Sequence, residues 1–424
     1  MSVPSQLNFP KIFPVAAQAV SSKYSNVAVS GTSFSGGTTT SIDIQGSAQR
    51  AAYLDPSATM VRFTVNVTLT GGTTPTWATT AASCISAIAL YSSAGANLVE
   101  SVQQYGCLHH ILRDLGTTRS KAQAADTITQ GIDSTRPRSA VTNAASVLSR
   151  DFALPLVSCI SALSAGSLYI PICELDSPLR LDVTWADPLN SIAVTGGPSG
   201  AGFSITNVYL DTQLITLADS VHQQLRALNG GVVSWSGSIW KSYRSVQAAN
   251  QLSNSVLIPS RVDSAKSLFI AMRTSTNEFN QTYSSVTHRI RNSLTSWRIR
   301  SGAQYVTPNA VVASGFGLPS FIEAVRVMGV PASEASPTLM NSVDWVVDTD
   351  TTWTNATVDG SFVVGCELEC FSQSQKLVSG LSTSANTLVA DLTFSGTPLA
   401  CNIDCFLESD AVFSIANGQL SVAF

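Results

Sequence analysis

The chain has 424 residues and a mass of 44.5 kDa, which is long enough for two or three domains with a core in each. Charged residues make up 12% of the sequence and hydrophobic residues 44%, where a charged share of about 25% is usual. This combination excludes intrinsic disorder, and the net charge of −4 argues against a protein that grips nucleic acid mainly through phosphates. Neutral polar residues must cover the surface instead, which suits contact with other protein.

The N-terminal segment, residues 1–24, carries three prolines and little periodicity. It has no basic region ahead of an apolar run, and no stretch of the chain approaches about 18 uninterrupted apolar residues. We therefore expect an extended or flexible arm, no transmembrane segment, and a soluble protein made in a reducing compartment. Eight cysteines in a chain of this length do not indicate a disulfide framework.

Alternation of apolar and polar residues with a period of two recurs along the chain, and it predicts strands with one face on a core. The pattern is clearest in Val61–Leu69, Leu179–Trp185 and Leu388–Phe394. Clusters of Gly, Ser, Thr and Pro separate such runs, as in GTSFSGGTTT and VTGGPSGAG. Many short strands between turns indicate an all-β protein built from sandwiches or barrels.

Two segments carry apolar residues at steps of three and four, the pattern of an amphipathic helix. The first is Ala96–Leu115. The second is Pro319–Met328, for which we expect Ser320 as the N-cap, Glu323 as its capping-box partner and Gly329 as the stop. Each helix follows a run of strands in its own half of the chain.

A short internal repeat indicates that the two halves follow one plan. Residues Gly166–Leu175 align with Gly360–Leu368 after one deletion, and both are predicted to form a strand of the pattern G-S-apolar-C-E-L. In both halves the order is strands, helix, loop, this strand and further strands. The sequence therefore predicts an arm at 1–24 and two β domains at 25–225 and 226–424.

Side chains that could converge for catalysis are scarce. The four histidines are His109, His110, His222 and His288, of which the first two are adjacent on a predicted helix and so point in different directions. No nucleophile elbow, phosphate-binding loop or zinc-protease motif is present. We therefore predict no enzyme activity, no catalytic residue, no metal site and no cofactor.

Two pairs of cysteines, Cys366 with Cys370 and Cys401 with Cys405, have a spacing that resembles paired metal ligands. On a strand, residues four apart share a face but lie about 13 Å apart, too far for both to bind one zinc ion at about 2.3 Å. We favour small buried core residues at these positions. A cross-strand disulfide and a zinc site are the alternatives.

One stretch of the second half is basic. It contains four arginines, Arg289, Arg291, Arg298 and Arg300. One interpretation is a strand that faces nucleic acid, with Trp297 free to stack on bases. The favoured interpretation is an amphipathic strand whose arginines pair with carboxylates of a neighbouring subunit.

Two segments carry motifs that go beyond simple alternation. In Leu154–Trp185 a strand leads through a Y-I-P-I turn to an S-P-L-R-L strand. In Ile258–Tyr305 the motif R-x-x-S-A-K-S precedes S-W-x-I-x-x-G-x-x-Y. The matching residues are Arg261, Ser264, Ala265, Lys266, Ser267, Ser296, Trp297, Gly302 and Tyr305. Over about residues 55–330 the sequence thus resembles the double jelly-roll major capsid proteins of the adenovirus-hexon lineage, above all those of polinton-like viruses and virophages.

This resemblance implies two consecutive eight-stranded jelly rolls with a few short helices in the loops. It also implies that three chains form a pseudo-hexagonal capsomer, which tiles an icosahedral virion shell assembled in the host cytoplasm or nucleus. The expected partners are further copies of the chain, penton and minor capsid proteins, and, weakly, the genome through the four arginines. Low charge suits such lateral surfaces, because burying an amide or hydroxyl costs less than burying a charge.

Two other functions stay open at this point. A β-sandwich lectin, or a minor or spike protein of the virion, would stack sugars on Trp77, Trp235 or Trp353. A glycoside hydrolase would use paired carboxylates among Glu174, Asp176, Glu367 and Glu369.

Overall fold

The structure is a computed structural model. It describes residues 21–28, 31–44, 52–71, 76–92, 95–144, 146–161, 168–195, 200–228, 230–281, 286–329, 338–348, 360–369 and 379–424. The predicted arm therefore lies almost wholly outside the described residues. No helix of the described part is long and apolar enough to cross a membrane.

The first half of the chain forms two sheets that face each other. One sheet has the order β1 (Ser21–Ala28), β12 (Gly200–Thr216), β4 (Ala52–Thr70) and β9 (Ser149–Pro155), with β2 (Ser33–Ser35) beside β12. The other has the order β3 (Thr39–Ile44), β10 (Leu179–Trp185), β6 (Ile85–Ser92) and β7 (Asn97–Gln103). A small third sheet joins β11 (Ala193–Thr195), β5 (Thr76–Ala78) and β8 (Thr142–Ala144). The rings of Phe63 and Trp185 meet between the two main sheets, 5.0 Å apart.

The second half repeats this arrangement. Its first set of strands is β13 (Val232–Gln247), β21 (Cys401–Ala416), β15 (Ala265–Thr274) and β19 (Val364–Glu367), with β22 (Gln419–Ala423) beside β21. Its second set is β14 (Ser253–Ile258), β20 (Leu388–Phe394), β16 (Leu294–Ser301) and β17 (Gln304–Tyr305), with β18 (Val311–Val312) beside β16. Strand for strand, the order matches that of the first half, so each half is an eight-stranded jelly roll. The predicted fold class is confirmed.

The internal repeat that suggested this plan is nevertheless misaligned. Strand β19 occupies the place of β9, since both lie at the outer edge of their sheets, beside β15 and β4 respectively. In the described part of the first copy, residues 168–175, no strand forms: Ile170 makes one isolated bridge, and Ile172–Glu174 forms a 3-10 turn directly after Pro171, which has no N–H to give to a sheet. The prediction of a strand within Gly166–Leu175 is therefore wrong.

The three strands with the clearest alternation are confirmed. In β4 the apolar residues Val61, Phe63, Val65 and Val67 are buried. The predicted segments Leu179–Trp185 and Leu388–Phe394 have the bounds of β10 and β20. Alternation works here because each strand has one face on the shared core.

Among the described residues, seven short α-helices lie in the connections. They are α1 (Tyr105–Gly116), α2 (Arg119–Gln123), α3 (Ala125–Thr129), α4 (Pro188–Ser191), α5 (Asp219–Leu228), α6 (Leu318–Arg326) and α7 (Ser342–Trp345). Helices α1 and α6 are topologically equivalent, because each follows the fourth strand of its second sheet and precedes the edge strand of its first. Helix α5 links the two jelly rolls.

The first predicted helix begins too early. Residues 97–103 form β7, which pairs with β6, and Gln104 then takes a left-handed conformation with φ 55° before α1 begins. A separation of four residues, as between Leu98 and Val102, fits one face of a helix and one face of a strand alike. The free edge of β6 decides between them, since it offers the backbone of β7 a ladder of hydrogen bonds.

The second predicted helix is confirmed as α6, but its N-cap is not the expected one. Gly317, in the left-handed region at φ 60°, precedes the helix. The buried Ser320 instead accepts a hydrogen bond from Trp297 Nε1 at 3.0 Å. Glu323 therefore has no capping-box partner and pairs with Arg326 one turn later, at 2.7 Å.

Candidate functional site

Helix α1 lies between the two jelly rolls. Every residue from Tyr105 to Leu115 is buried. Close by, edge strand β7 of the first jelly roll runs parallel to β13 of the second, with Ser101 opposite Lys241. The backbone N–H of Gln103 adds a hydrogen bond to Ser242 Oγ at 2.7 Å. The contact around α1 and β7, which we call the inter-roll contact, joins the two halves.

An arginine of the second half holds the start of α1. Arg273 on β15 donates to Gln104 Oε1 at 2.8 Å and forms a two-pronged ion pair with Asp404 of β21, at 2.8 and 2.6 Å. Burial alone would lower the pKa of Arg273, but the charge of Asp404 outweighs it and raises that pKa. Arg244 adds a second cation to Asp404 at 3.0 Å. The guanidinium of Arg273 is therefore a fixed, charged contact between the halves.

A second buried ion network holds the end of α1. The carboxylate of Asp114 accepts from Arg289 at 2.5 Å and from Arg138 at 3.2 Å. Arg138 also reaches Asp344 of α7 at 3.2 Å and the carbonyl oxygen of Gly360 at 3.2 Å. Burial would raise the pKa of Asp114, but the two arginines hold it at about 2. Asp114 and Arg138 belong to the first half and the other three residues to the second.

The inter-roll contact also contains a carboxylate without a cationic partner. Glu100 of β7 is buried and accepts three hydrogen bonds, from Ser158 Oγ at 2.7 Å, the Cys159 N–H at 2.9 Å and the Trp240 N–H at 3.0 Å. Burial raises the pKa of Glu100 in spite of these donors. The bond to Trp240 ties β7 to β13, so this polar group specifies how the two halves meet.

A cavity of about 220 Å³ remains beside α1. Its walls come from both halves and include His109, Arg113, Trp240 and Met328. Burial lowers the pKa of His109 to about 4, so its imidazole is neutral near pH 7. Arg113 makes an ion pair with Asp126 at 3.1 Å.

The basic stretch does not face outward as a unit. Arg289 is fully buried in the network just described, and the buried Arg291 pairs with Asp348 at 2.5 Å. Trp297 is also buried and cannot stack on a base. The proposal that Arg289, Arg291 and Trp297 face nucleic acid is therefore wrong, because these side chains fill the second jelly roll and its contact with the first.

The two remaining arginines of the stretch are partly exposed and have partners within the chain. Arg298 lies over the ring of Tyr305, 3.5 Å from its centroid, and Arg300 pairs with Asp391 of β20 at 2.8 Å. The carboxylates that meet this stretch thus come from the same chain, where a neighbouring subunit was expected. Sequence spacing gave no signal of these distant partners.

The paired cysteines lie in the core of the second half as far as the structure describes them. Cys366 on β19 and both Cys401 and Cys405 on β21 are buried. Burial raises the pKa of Cys366 to about 12, which keeps it protonated at neutral pH. Cys370 lies outside the described residues.

The aromatic residues considered for sugar stacking are not presented together. Trp77 is buried and donates to the Val147 carbonyl at 2.7 Å. Trp235 stacks on Phe413, with 5.4 Å between the ring centroids. Trp353 lies outside the described residues.

The carboxylates considered for glycoside hydrolysis are also separated. Glu369 is an ion-pair partner of Lys266, with 3.9 Å between Glu369 Oε1 and Lys266 Nζ. Glu367 belongs to β19 of the second half, whereas Glu174 and Asp176 lie in a loop of the first. The four carboxylates are thus divided between the two halves of the chain.

A cluster that the sequence did not predict forms at the linker between the halves. Within the described residues, Cys173, Glu174 and His222 are the one group of three or more His, Cys and acidic side chains whose ligand atoms all lie within 4.8 Å of one another. His222 Nε2 lies 3.2 Å from Glu174 Oε1, and His222 Nδ1 lies 3.9 Å from Cys173 Sγ and 3.0 Å from Tyr53 Oη. Burial, then the neighbouring Glu174, raises the pKa of Cys173 to about 11. His222 lies 49 positions after Cys173 along the chain, so spacing could not reveal the cluster.

Comparison with known proteins places the fold. No family model and no curated protein matches the sequence. Solved structures do match: VP54 of PBCV-1, fitted into a reconstruction of the virophage Sputnik, has a TM-score of 0.64 at 13% identity, over 95% of this chain and 96% of that one. The fold is that of a double jelly-roll capsid protein.

Two further capsid proteins support the same placement. The Faustovirus major capsid protein matches with a TM-score of 0.60 at 7% identity, over 97% of this chain and 93% of that one. The mavirus major capsid protein matches with a TM-score of 0.53 at 8% identity, over 100% of this chain and 95% of that one. The match therefore extends over nearly the whole length of each of these chains.

Proposed function

We propose that the protein is a major capsid protein, a structural subunit without catalytic activity that forms homotrimeric, pseudo-hexagonal capsomers of an icosahedral shell. The observation that carries this proposal is the match of the whole double jelly roll, over more than nine-tenths of both chains, to viral capsid proteins. The inter-roll contact supports it, because a tile must keep its two halves in one fixed orientation. Buried ion networks at both ends of α1 supply that rigidity.

The internal symmetry supports a ring of three chains. Strand β17 is the equivalent of β7, and β1 is the equivalent of β13. Within the chain, β7 lies beside β13. A ring that repeats this contact brings β17 of one subunit beside β1 of the next, and six similar contacts then alternate around one capsomer.

The surface around α6 fits this arrangement. The equivalent helix α1 is covered by the second half of its own chain, whereas Phe316 and Leu318, at the start of α6, are 78% and 61% exposed. Large apolar side chains in contiguous exposure mark interaction sites. In the proposed trimer, the first jelly roll of the neighbouring subunit covers this surface.

A substitution at this surface tests the proposal. We expect the purified protein to have the mass of a trimer by light scattering, and pseudo-hexagonal particles by negative-stain electron microscopy. Leu318→Glu should shift the mass to that of a monomer, because the new carboxylate would be buried in the contact. Leu257→Glu is the matched control. Leu257 is 59% exposed on β14, which lies at the edge of its sheet opposite to β17. It should remain trimeric.

Two results would contradict the proposal. A wild-type protein that stays monomeric at high concentration and forms no lattice would count against a capsid role. If Leu318→Glu and Leu257→Glu abolished the trimer equally, the proposal that α6 lies in the contact between subunits would be wrong.

We also propose the finer organisation. The jelly rolls divide at 25–225 and 226–424, except that β1 of the first already begins at Ser21, and the arm that precedes this strand reaches beneath the shell. The shell assembles in the host cytoplasm or nucleus and includes penton and minor capsid proteins. Any contact with the genome would use Arg298 and Arg300, which keep part of their surface in solvent.

A further inference from the structure

The linker helix α5 has few attachments to the jelly rolls. Over residues 219–227, whose burial the structure describes, Val221 and His222 are partly buried and the other side chains are exposed. His222 turns towards the first jelly roll, where it meets Tyr53 of β4 and the turn that contains Cys173 and Glu174. Arg226, one turn later, approaches Glu174 at 3.7 Å. The attachment of α5 thus includes one small polar cluster.

The chemistry of this cluster is that of a transition-metal site. A thiol, an imidazole and a carboxylate are the three side chains that bind zinc, and a zinc site with three protein ligands keeps a fourth position for water. Zinc–ligand distances of about 2.0–2.3 Å require ligand atoms about 3.3–3.8 Å apart in a tetrahedron. Cys173 Sγ and His222 Nδ1 are 3.9 Å apart, so this pair needs almost no movement.

The donor groups in the cluster also suit a cation. Glu174 offers a carboxylate and Cys173 a thiol that a bound metal would deprotonate, and both lie close to a single imidazole. The Arg226 side chain is largely exposed, so its charge is well screened from Glu174. A divalent ion among these groups would stabilise both the thiolate and the carboxylate.

We propose that Cys173, Glu174 and His222 bind one zinc ion, which fastens the linker helix α5 to the first jelly roll. On binding, the Cys173 thiol loses its proton to solvent, and its sulfur and the lone pair of His222 Nδ1 bond to the metal. Tyr53 gives up its hydrogen bond to Nδ1. The Glu174 carboxylate turns from Nε2 towards the metal, and water fills the fourth position.

The test is titration of the metal-free full-length protein with Zn²⁺, and with Co²⁺ as a spectroscopic probe. We expect one ion per chain, a thiolate-to-cobalt charge-transfer band, and a higher midpoint of thermal unfolding with zinc. Cys173→Ser and His222→Gln should each weaken zinc binding at least about 100-fold, and Cys173→Ser should abolish the band. Failure to bind one ion per chain would overturn the proposal.

Two further variants separate a metal site from a general loss of structure. Tyr53→Phe removes a competitor for Nδ1, so zinc affinity should stay within about threefold of the wild type or increase. Cys366→Ser removes a buried thiol of β19 and should keep both binding and the band. If zinc binds equally well to Cys173→Ser, or is lost in Cys366→Ser, the assignment is wrong. Because binding is measured per chain, the result does not depend on trimer formation.

Discussion

Helices α1 and α6 occupy the same place in two copies of one fold, yet their surroundings are opposite. Helix α1 is buried along its length, and arginines of the other jelly roll hold both of its ends. Helix α6 has Ser320, Ala324 and Val325 buried against its own jelly roll and leaves Leu318 and Arg326 exposed. The difference shows that the burial of each helix depends on which jelly roll packs against it. Helix α1 has a covalently linked partner beside it, whereas the partner that we propose for α6 is a second chain.

The two helices also differ in how much their ion pairs can contribute to the stability of the fold. Asp114 at the end of α1 is desolvated together with two arginines, so the geometry of the whole network decides whether it is favourable. The pair between Glu323 and Arg326 on α6 is partly exposed and screened by water.

The largest effect should come from Asp114→Ala. It leaves Arg138 and Arg289 buried without their shared carboxylate, so we expect the free energy of unfolding to fall by about 3–5 kcal/mol. Urea denaturation monitored by tryptophan fluorescence measures this loss. The control, Glu323→Ala on α6, should cost less than about 1 kcal/mol. Similar losses in the two variants would show that the inter-roll network contributes no more than a surface pair.

A smaller effect should come from Gly106→Ala in the first turn of α1. A Cβ atom at Gly106 would lie 2.6 Å from the Ala82 carbonyl oxygen and 2.9 Å from Val286 of the other half. We expect a loss of up to about 3 kcal/mol in the same denaturation assay, because the helix has no room to move aside. Gly116→Ala, in the last turn, meets only the flexible end of Met328 at 3.1 Å and should be neutral or stabilising. A neutral Gly106→Ala would mean that the contact is looser than described.

The smallest of the three effects is a dependence on pH. Asp114 has a pKa of about 2 in the folded protein, against an ordinary value of 3.8. Its contribution, about 2 kcal/mol, is present above pH 4 and is lost as the pH falls towards 2, because the folded state must then accept a proton that it binds poorly. The stability gap between wild type and Asp114→Asn should therefore narrow on acidification. A gap that stays constant from pH 6 to pH 2.5 would contradict this.

Much of the fold could be predicted from local pattern. The alternation in Val61–Leu69 and Leu388–Phe394 fixed which face of each strand is buried, and the three- and four-residue steps located α6. Local pattern failed in residues 97–103, where the spacing of apolar residues fits a helix and a strand alike. It also failed at Pro171, where a proline prevents the predicted strand from continuing. The strand order that relates the two halves was not visible in the short repeat.

The functional residues divide in the same way. Composition predicted broad neutral surfaces, and the motifs around Lys266 and Trp297 pointed to a capsid fold, because both depend on residues close together in the sequence. The partners of Asp114, Arg289 and His222 lie far along the chain, so pattern could not identify them.

The sequence by itself determined that the chain is an all-β protein with two sets of strands and a lightly charged surface, because hydrophobic periodicity acts over neighbouring residues. Only the tertiary structure decided that the arginines at 289 and 291 are internal, that α1 joins the halves, and that Cys173, Glu174 and His222 meet. Those features depend on long-range packing, in which each buried charge must find a partner wherever the fold brings one.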